Sequence, residues 1–90
     1  MTDSRWTFLR SSPNLIKSSS GHTIEILGRA GLRVVIGDWI IEVDSEMLAV
    51  GRSLVIYSGS IPDNLDVPRS EILEEVRQGL ESDGFRVEVD

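Results

Sequence analysis

The segment from residue 32 to residue 43 constrains the fold most strongly, because it predicts two strands joined by a tight turn. Leu32-Arg-Val-Val-Ile36 is rich in β-branched residues, and Trp39-Ile-Ile-Glu-Val43 follows it after only two residues. Those two residues are Gly37-Asp38, a pair typical of a hairpin turn with glycine in the first central position. Side chains alternate along a strand, so Trp39, Ile41 and Val43 share one face, while the opposite face carries Ile40, Glu42 and Asp44. We expect the first face to be buried, since the second is mostly charged.

Further strands are indicated on both sides of this hairpin. Residues 23–27 and 53–57 have the apolar patterns of strands, and a glycine-rich turn, Gly28–Gly31, follows the first of them. Two short apolar pieces, residues 6–8 and 15–16, are expected to pair at a sheet edge. Residues 58–69 contain two prolines and a glycine and are interpreted as a loop.

One helix is predicted after this loop. Ser70 resembles an N-cap, and Asp83-Gly84 supplies the glycine that commonly ends a helix. Between them, an apolar stripe at helical spacing comprises Ile72, Leu73, Val76 and Leu80. Glu71, Glu74 and Glu75 lie near the positive end of the helix dipole. Residues 85–89 alternate again and predict a final strand at an edge.

These elements predict a single α+β domain over residues 1–90. Its sheet is mostly antiparallel, with one helix packed on it and a final edge strand. The sequence leaves open whether residues 1–14 are well ordered.

Composition narrows the environment and the partners. The chain has no cysteine, which excludes disulfides and favours a reducing cytoplasm, and it has neither the apolar core of a signal peptide nor a membrane span. Residues 1–36 hold two acids and five bases, whereas residues 37–90 hold thirteen acids and four bases. The acidic part argues against nucleic acid and favours a basic protein partner, although acidity for solubility alone explains it equally well.

The sequence shows no pattern of residues that is typical of a catalytic site. His22 and Lys17 are each the single residue of their type, and no serine stands in a nucleophile pattern. His22 is interpreted as an exposed loop residue. We therefore predict no catalytic residue, no cofactor and no metal site; a carboxylate-based hydrolase is the weakest alternative, because the acidic spacing lacks the glycine and final acid of a calcium loop.

Two acidic segments are the candidate partner-binding sites. The first is the hairpin face with Asp38, Glu42, Asp44 and Glu46, and the second is the loop with Asp63, Leu65 and Asp66. Apolar anchors flanked by charge suit a protein interface. A solvated sheet face and a simple connection from strand to helix are the plainer alternatives.

The order of several short pieces resembles a family of small bacterial immunity proteins, immunity protein family seventy-four, from polymorphic-toxin and contact-dependent growth inhibition systems. The pieces are Leu15-Ile-Lys17, Thr23-Ile-Glu-Ile-Leu-Gly28, Val43-Asp-Ser-Glu-Met-Leu48, Leu54-Val-Ile-Tyr-Ser58, the helix with Ile72 and Leu73, and Gly84-Phe-Arg-Val-Glu-Val89. Where members of that family often carry tryptophan between the tyrosine and the helix, this chain has Leu65.

This resemblance implies a protein that binds a cognate toxin domain and covers its active site or an essential surface. A basic nuclease is the toxin class that best matches the acidic charge. The alternative is an accessory subunit that adds a strand to a larger assembly, with residues 85–89 as the available edge.

Overall fold

The computed structural model describes residues 6–90, which form seven strands and one α-helix. The strands are β1 (Phe8–Ser12), β2 (Leu15–Ser18), β3 (Thr23–Ile26), β4 (Ala30–Ile36), β5 (Trp39–Met47), β6 (Ser53–Ile56) and β7 (Arg86–Val89). The helix, α1 (Arg69–Ser82), lies between β6 and β7 in the chain, after one turn of 3-10 helix at Ser58–Ser60. No helix among these residues is long and apolar enough to cross a membrane.

All seven strands belong to one sheet, in which they follow each other in chain order from β1 to β7. Every neighbouring pair is antiparallel except the last, because the helical connection between β6 and β7 returns the chain to the same end of the sheet. The prediction of an α+β fold with one helix and a final edge strand is therefore confirmed. The parallel pairing of β7 was not anticipated.

The core lies between the helix and one face of the sheet, which we call the inner face. Ile72, Val76 and Leu80, from the predicted apolar stripe, are fully buried against it. The inner-face residues of the sheet are Ile16, Ile24, Ile26, Leu32, Val34, Ile36, Ile41, Val43, Leu54 and Ile56. Each such side chain contributes about 2 kcal/mol through burial, which explains why a single helix suffices to hold the curled sheet together.

The helix approaches the first strands very closely at Gly79. A Cβ atom at this position would lie 2.7 Å from Ile24 Cδ1 and 3.1 Å from Phe8 Cε1. Near the helix end, Asp83 lies 3.6 Å from Arg10 Nε of β1 and 3.3 Å from Arg52 Nη2. The absence of a side chain at Gly79 therefore lets the helix sit against the β1 side of the sheet.

The hairpin turn was predicted correctly from the sequence, whereas the start of the helix requires a correction. Gly37 has a φ of 59°, as the two-residue hairpin requires. The N-cap is Pro68 and not Ser70, because the Pro68 carbonyl accepts the first helical bonds, from the amides of Glu71 and Ile72. Of residues 1–14, whose order the sequence left open, residues 1–5 lie outside the described part and residues 8–12 form β1.

Candidate functional site

The face of β5 that points away from the helix, here called the outer face, carries three of the predicted binding residues. Glu42, Asp44 and Glu46 are exposed at alternating positions, and Ile40 extends the series with 69% of its surface exposed. In this series the register places Glu42 beside Arg33, but the Arg33 guanidinium lies 3.2 Å from Glu25 instead. Within residues 6–90, the three β5 carboxylates therefore form no ion pair, which leaves them available to an outside cation.

Glu46 interacts with the only tyrosine of the chain. The Tyr57 hydroxyl donates a hydrogen bond to Glu46 Oε1 over 3.2 Å. This bond and the nearby negative charges of Glu46 and Asp90 raise the pKa of Tyr57. The raised pKa reports an electronegative environment at this end of the outer face.

A groove of about 330 Å³ lies at the turn end of the β4–β5 hairpin, beside the loop that precedes the helix. Its lining residues are His22, Ile36, Gly37, Asp38, Trp39, Leu65, Asp66 and Val67. Trp39 belongs to the inner-face series, but at the strand end it extends past the core and is 51% exposed. The expectation that Trp39 is buried is therefore wrong, because the loop residues Leu65 and Val67 line the groove beside it without covering its side chain.

The predicted binding residues thus divide between two surfaces. Asp38, Leu65 and Asp66 meet at the groove, although they come from different segments. Glu42, Asp44 and Glu46 lie apart from them on the outer face of β5. Asp63 lines neither surface, and its largely exposed carboxylate lies 3.6 Å from Arg69 Nη2.

A buried carboxylate lies behind the groove. Glu75 projects from α1, is only 4% exposed and accepts bonds from three side chains at the end of β2 and in the connection to β3. Ser18 Oγ and Ser20 Oγ each lie 2.5 Å from Oε2, and His22 Nδ1 lies 2.7 Å from Oε1. These bonds tie the connection to the helix and fix the His22 ring at the groove.

The ionisation of Glu75 depends on these partners. Burial alone would raise its pKa, but the hydrogen bonds from Ser18, Ser20 and His22, with the charge of the imidazole, outweigh that effect and hold the pKa below 4.5. The carboxylate is therefore ionised at neutral pH and can only accept hydrogen bonds. It follows that His22 carries a proton on Nδ1.

Sequence reasoning missed this cluster. The interpretation of His22 as an exposed loop residue is corrected, since its side chain is only 20% exposed and is bonded to Glu75. One signal was present in the sequence: Glu75 lies three residues after Ile72 and next to Val76, so it occupies a position within the buried stripe. A carboxylate there requires donors, and residues 18–22 supply them.

The two serine hydroxyls and the His22 ring share Glu75 as their hydrogen-bond acceptor. The Ser18 and Ser20 hydroxyls donate to Glu75 and not to the His22 imidazole, so neither hydroxyl is placed for deprotonation by that ring. Residues 6–90 contain no group of three histidine, cysteine or acidic residues able to hold a metal ion. Comparisons of the chain with protein-family models, with curated proteins and with solved structures give no match.

Proposed function

We propose that this chain is an immunity protein that binds and neutralises a basic toxin domain in the bacterial cytoplasm, with the outer face of β5 as the main contact surface. A basic nuclease is the partner class that fits best. Inhibition then results from covering the active site or another essential surface of the toxin. The chain itself performs no catalysis in this proposal.

The observation that carries the proposal is the series of carboxylates on the outer face of β5 that form no ion pair within residues 6–90. Glu42, Asp44 and Glu46 are exposed at alternating positions of β5, which pairs with β4 and β6 and has a register irregularity between Val43 and Glu46. Ordered acidic groups of this kind raise the rate of encounter with a basic protein and fix its orientation. The net charge of −6 adds to this attraction at long range.

An apolar contact is available beside the acids. Ile40 is exposed at the hairpin end of the same face, directly opposite Val35 of β4. Because an exposed isoleucine gains free energy when a partner covers it, Ile40 provides the kind of anchor that typical interfaces combine with charge. Acidic residues along the strand and an aliphatic side chain at its end together match a mixed basic and apolar toxin surface.

Co-purification with the C-terminal domain of the protein encoded beside this chain, followed by calorimetry at two salt concentrations, tests the proposal. We expect tight one-to-one binding that weakens as salt increases, because exposed charges are screened. Glu42→Lys should reduce affinity by roughly tenfold or more, mainly through faster dissociation. Co-expression should protect cells from the toxin domain.

Glu81→Lys is the matched control. It changes the net charge equally, but Glu81 lies on the helix, where it pairs with Arg77 Nη1 at 2.8 Å. If both variants lose affinity equally, overall charge and not the β5 surface determines binding. Absence of binding at micromolar concentrations contradicts the proposal for that toxin.

A second candidate function, strand addition to a larger assembly, is favoured by the edge position of β7. The amides of Arg86 and Asp90 donate to the carbonyls of Arg52 and Ile56, which lie just before β6 and at its end, so by alternation the amide of Val89 points to the free edge. Val89→Pro removes that donor while leaving the bonds to β6. A loss of partner binding in Val89→Pro but not in Glu42→Lys would favour strand addition.

A further inference from the structure

We infer that the groove beside the β4–β5 turn receives an arginine side chain of the partner protein. This inference rests on the proposed function and specifies the partner chemistry at a second contact surface. The groove lies next to the outer face, because Trp39 and Ile40 are neighbours in β5 whose side chains point to opposite sides of the sheet.

The acidic groups of the groove are two exposed aspartates. Asp38 and Asp66 contribute carboxylates, and neither forms an ion pair within residues 6–90. His22 donates its Nδ1 proton to Glu75, and this bond fixes the orientation of its ring at the wall of the groove. Every buried side-chain nitrogen in the described residues has a hydrogen-bond partner. The Nε2 atom of His22 has no partner there, so this atom is accessible to solvent.

A ligand for such a site must supply donors. Anionic and neutral acceptor groups would meet two unpaired carboxylates without compensation, and they are therefore excluded. The guanidinium group of arginine has five N–H donors and no acceptor, and its planar shape matches carboxylates in two-point contacts. Charge and hydrogen bonding thus both point to this group.

The remaining walls of the groove suit the rest of an arginine side chain. Trp39 presents an indole of which half is exposed, and a guanidinium stacks favourably on such a ring. Ile36, Leu65 and Val67 supply aliphatic surface for the methylene groups. Lysine would satisfy the charge, but it lacks the planar group that stacks on the indole and bonds in two-point contacts.

Glu75 acts through His22 as a positioning residue. Its bond to Nδ1 holds the ring in place at the wall of the groove. Asp38 and Asp66 are instead the direct contacts. This division predicts that the two carboxylates dominate affinity.

Nuclear magnetic resonance titration of the full chain with short blocked peptides tests the site. The probe contains one arginine between alanines, and the comparison peptides carry citrulline or lysine in its place. We expect the arginine peptide, at millimolar concentration, to shift the Trp39 indole and His22 ring signals with saturation. Citrulline, which keeps the shape without the charge, should leave them unchanged, and lysine should bind more weakly.

Asp38→Asn combined with Asp66→Asn should reduce the affinity for the arginine peptide by roughly tenfold or more, since it removes charge-assisted bonds. Asp63→Asn is a single-charge control in the same loop as Asp66, and it should retain the affinity. The inference is overturned if the arginine peptide causes no shift, if citrulline causes equal shifts, or if the double variant binds like the control.

The toxin experiment separates this result from the proposed function. If the peptide titration fails while Glu42→Lys still weakens toxin binding, the groove assignment alone is wrong. If the peptide binds and the toxin domain does not, the groove recognises arginine but the immunity function is wrong.

Discussion

Two groups of carboxylates in this small domain have opposite environments. Glu75 is buried behind the groove and accepts hydrogen bonds from two hydroxyls and an imidazole. Glu42, Asp44 and Glu46 are exposed on the outer face of β5 and form no ion pair within residues 6–90. A carboxylate that loses water must regain every bond from the protein, whereas an exposed carboxylate keeps its acceptor capacity for a partner. The first group should therefore determine stability and the second should determine recognition.

Removal of the buried Glu75 carboxylate should lower the stability of the domain more than any other change proposed here. Glu75→Ala leaves Ser18, Ser20 and His22 without their shared acceptor and creates a cavity under the helix. We expect the free energy of unfolding to fall by about 3 kcal/mol. Urea denaturation measures it, with Glu42→Ala as the exposed control, expected to change stability by less than about 0.5 kcal/mol. Equal losses in the two variants would refute the division.

The close approach of the helix that buries Glu75 can be tested one turn further along. Gly79→Leu introduces a side chain where even a Cβ would lie 2.7 Å from Ile24 Cδ1. We expect a loss of about 2 kcal/mol from overpacking, although leucine favours helix formation over glycine. Gly59→Leu is the control, since nothing lies within 4 Å of a Cβ there. A stability of Gly79→Leu equal to that of the control would show that the helix can move away freely.

The pH dependence of stability sharpens the same comparison. The folded-state pKa of Glu75 is lowered, so its ionised form contributes stability that is complete above the unfolded-state pKa, near 4.5, and is lost as pH falls through the lower folded-state pKa. The stability difference between the native chain and Glu75→Gln should therefore shrink on acidification below that value. Thermal unfolding across acidic pH measures it. A difference that stays constant across this pH range would contradict the argument.

The strand and helix pattern was predictable because each element follows a local rule. Alternation across Trp39–Val43 and the glycine at residue 37 define the central hairpin, and a 3.6-residue period defines the helix. The parallel pairing of β7 was not predictable from these local rules, since it depends on how the helix returns across the sheet. Pro68 replaced Ser70 as N-cap because backbone direction and not side-chain type decided the helix start.

The candidate sites were only partly predictable for a related reason. The acidic residues themselves were evident, but their division between the groove and the outer face depends on tertiary structure that brings Asp38 to Leu65 and Asp66. The link between His22 and Glu75 spans 53 residues and has no local signature. Burial of Glu75 was readable from its place in the helix stripe, yet its glutamate identity suggested a solvated position.

The smallest expected effect concerns the electronegative environment of the outer face. Tyr57 donates a hydrogen bond to Glu46, and this contact is the largest cause of its raised pKa. Glu46→Gln removes the negative charge and should shift the tyrosine titration to lower pH, because ionised Tyr57 no longer meets a carboxylate. Ultraviolet absorbance follows the titration directly, since the chain contains a single tyrosine.

Glu42→Gln removes an equal charge from the same strand but touches no tyrosine, so it should leave the titration nearly unchanged. If Glu42→Gln shifts it as far as Glu46→Gln does, the outer face acts as a diffuse field, and a toxin would be attracted by total charge without being oriented by individual carboxylates.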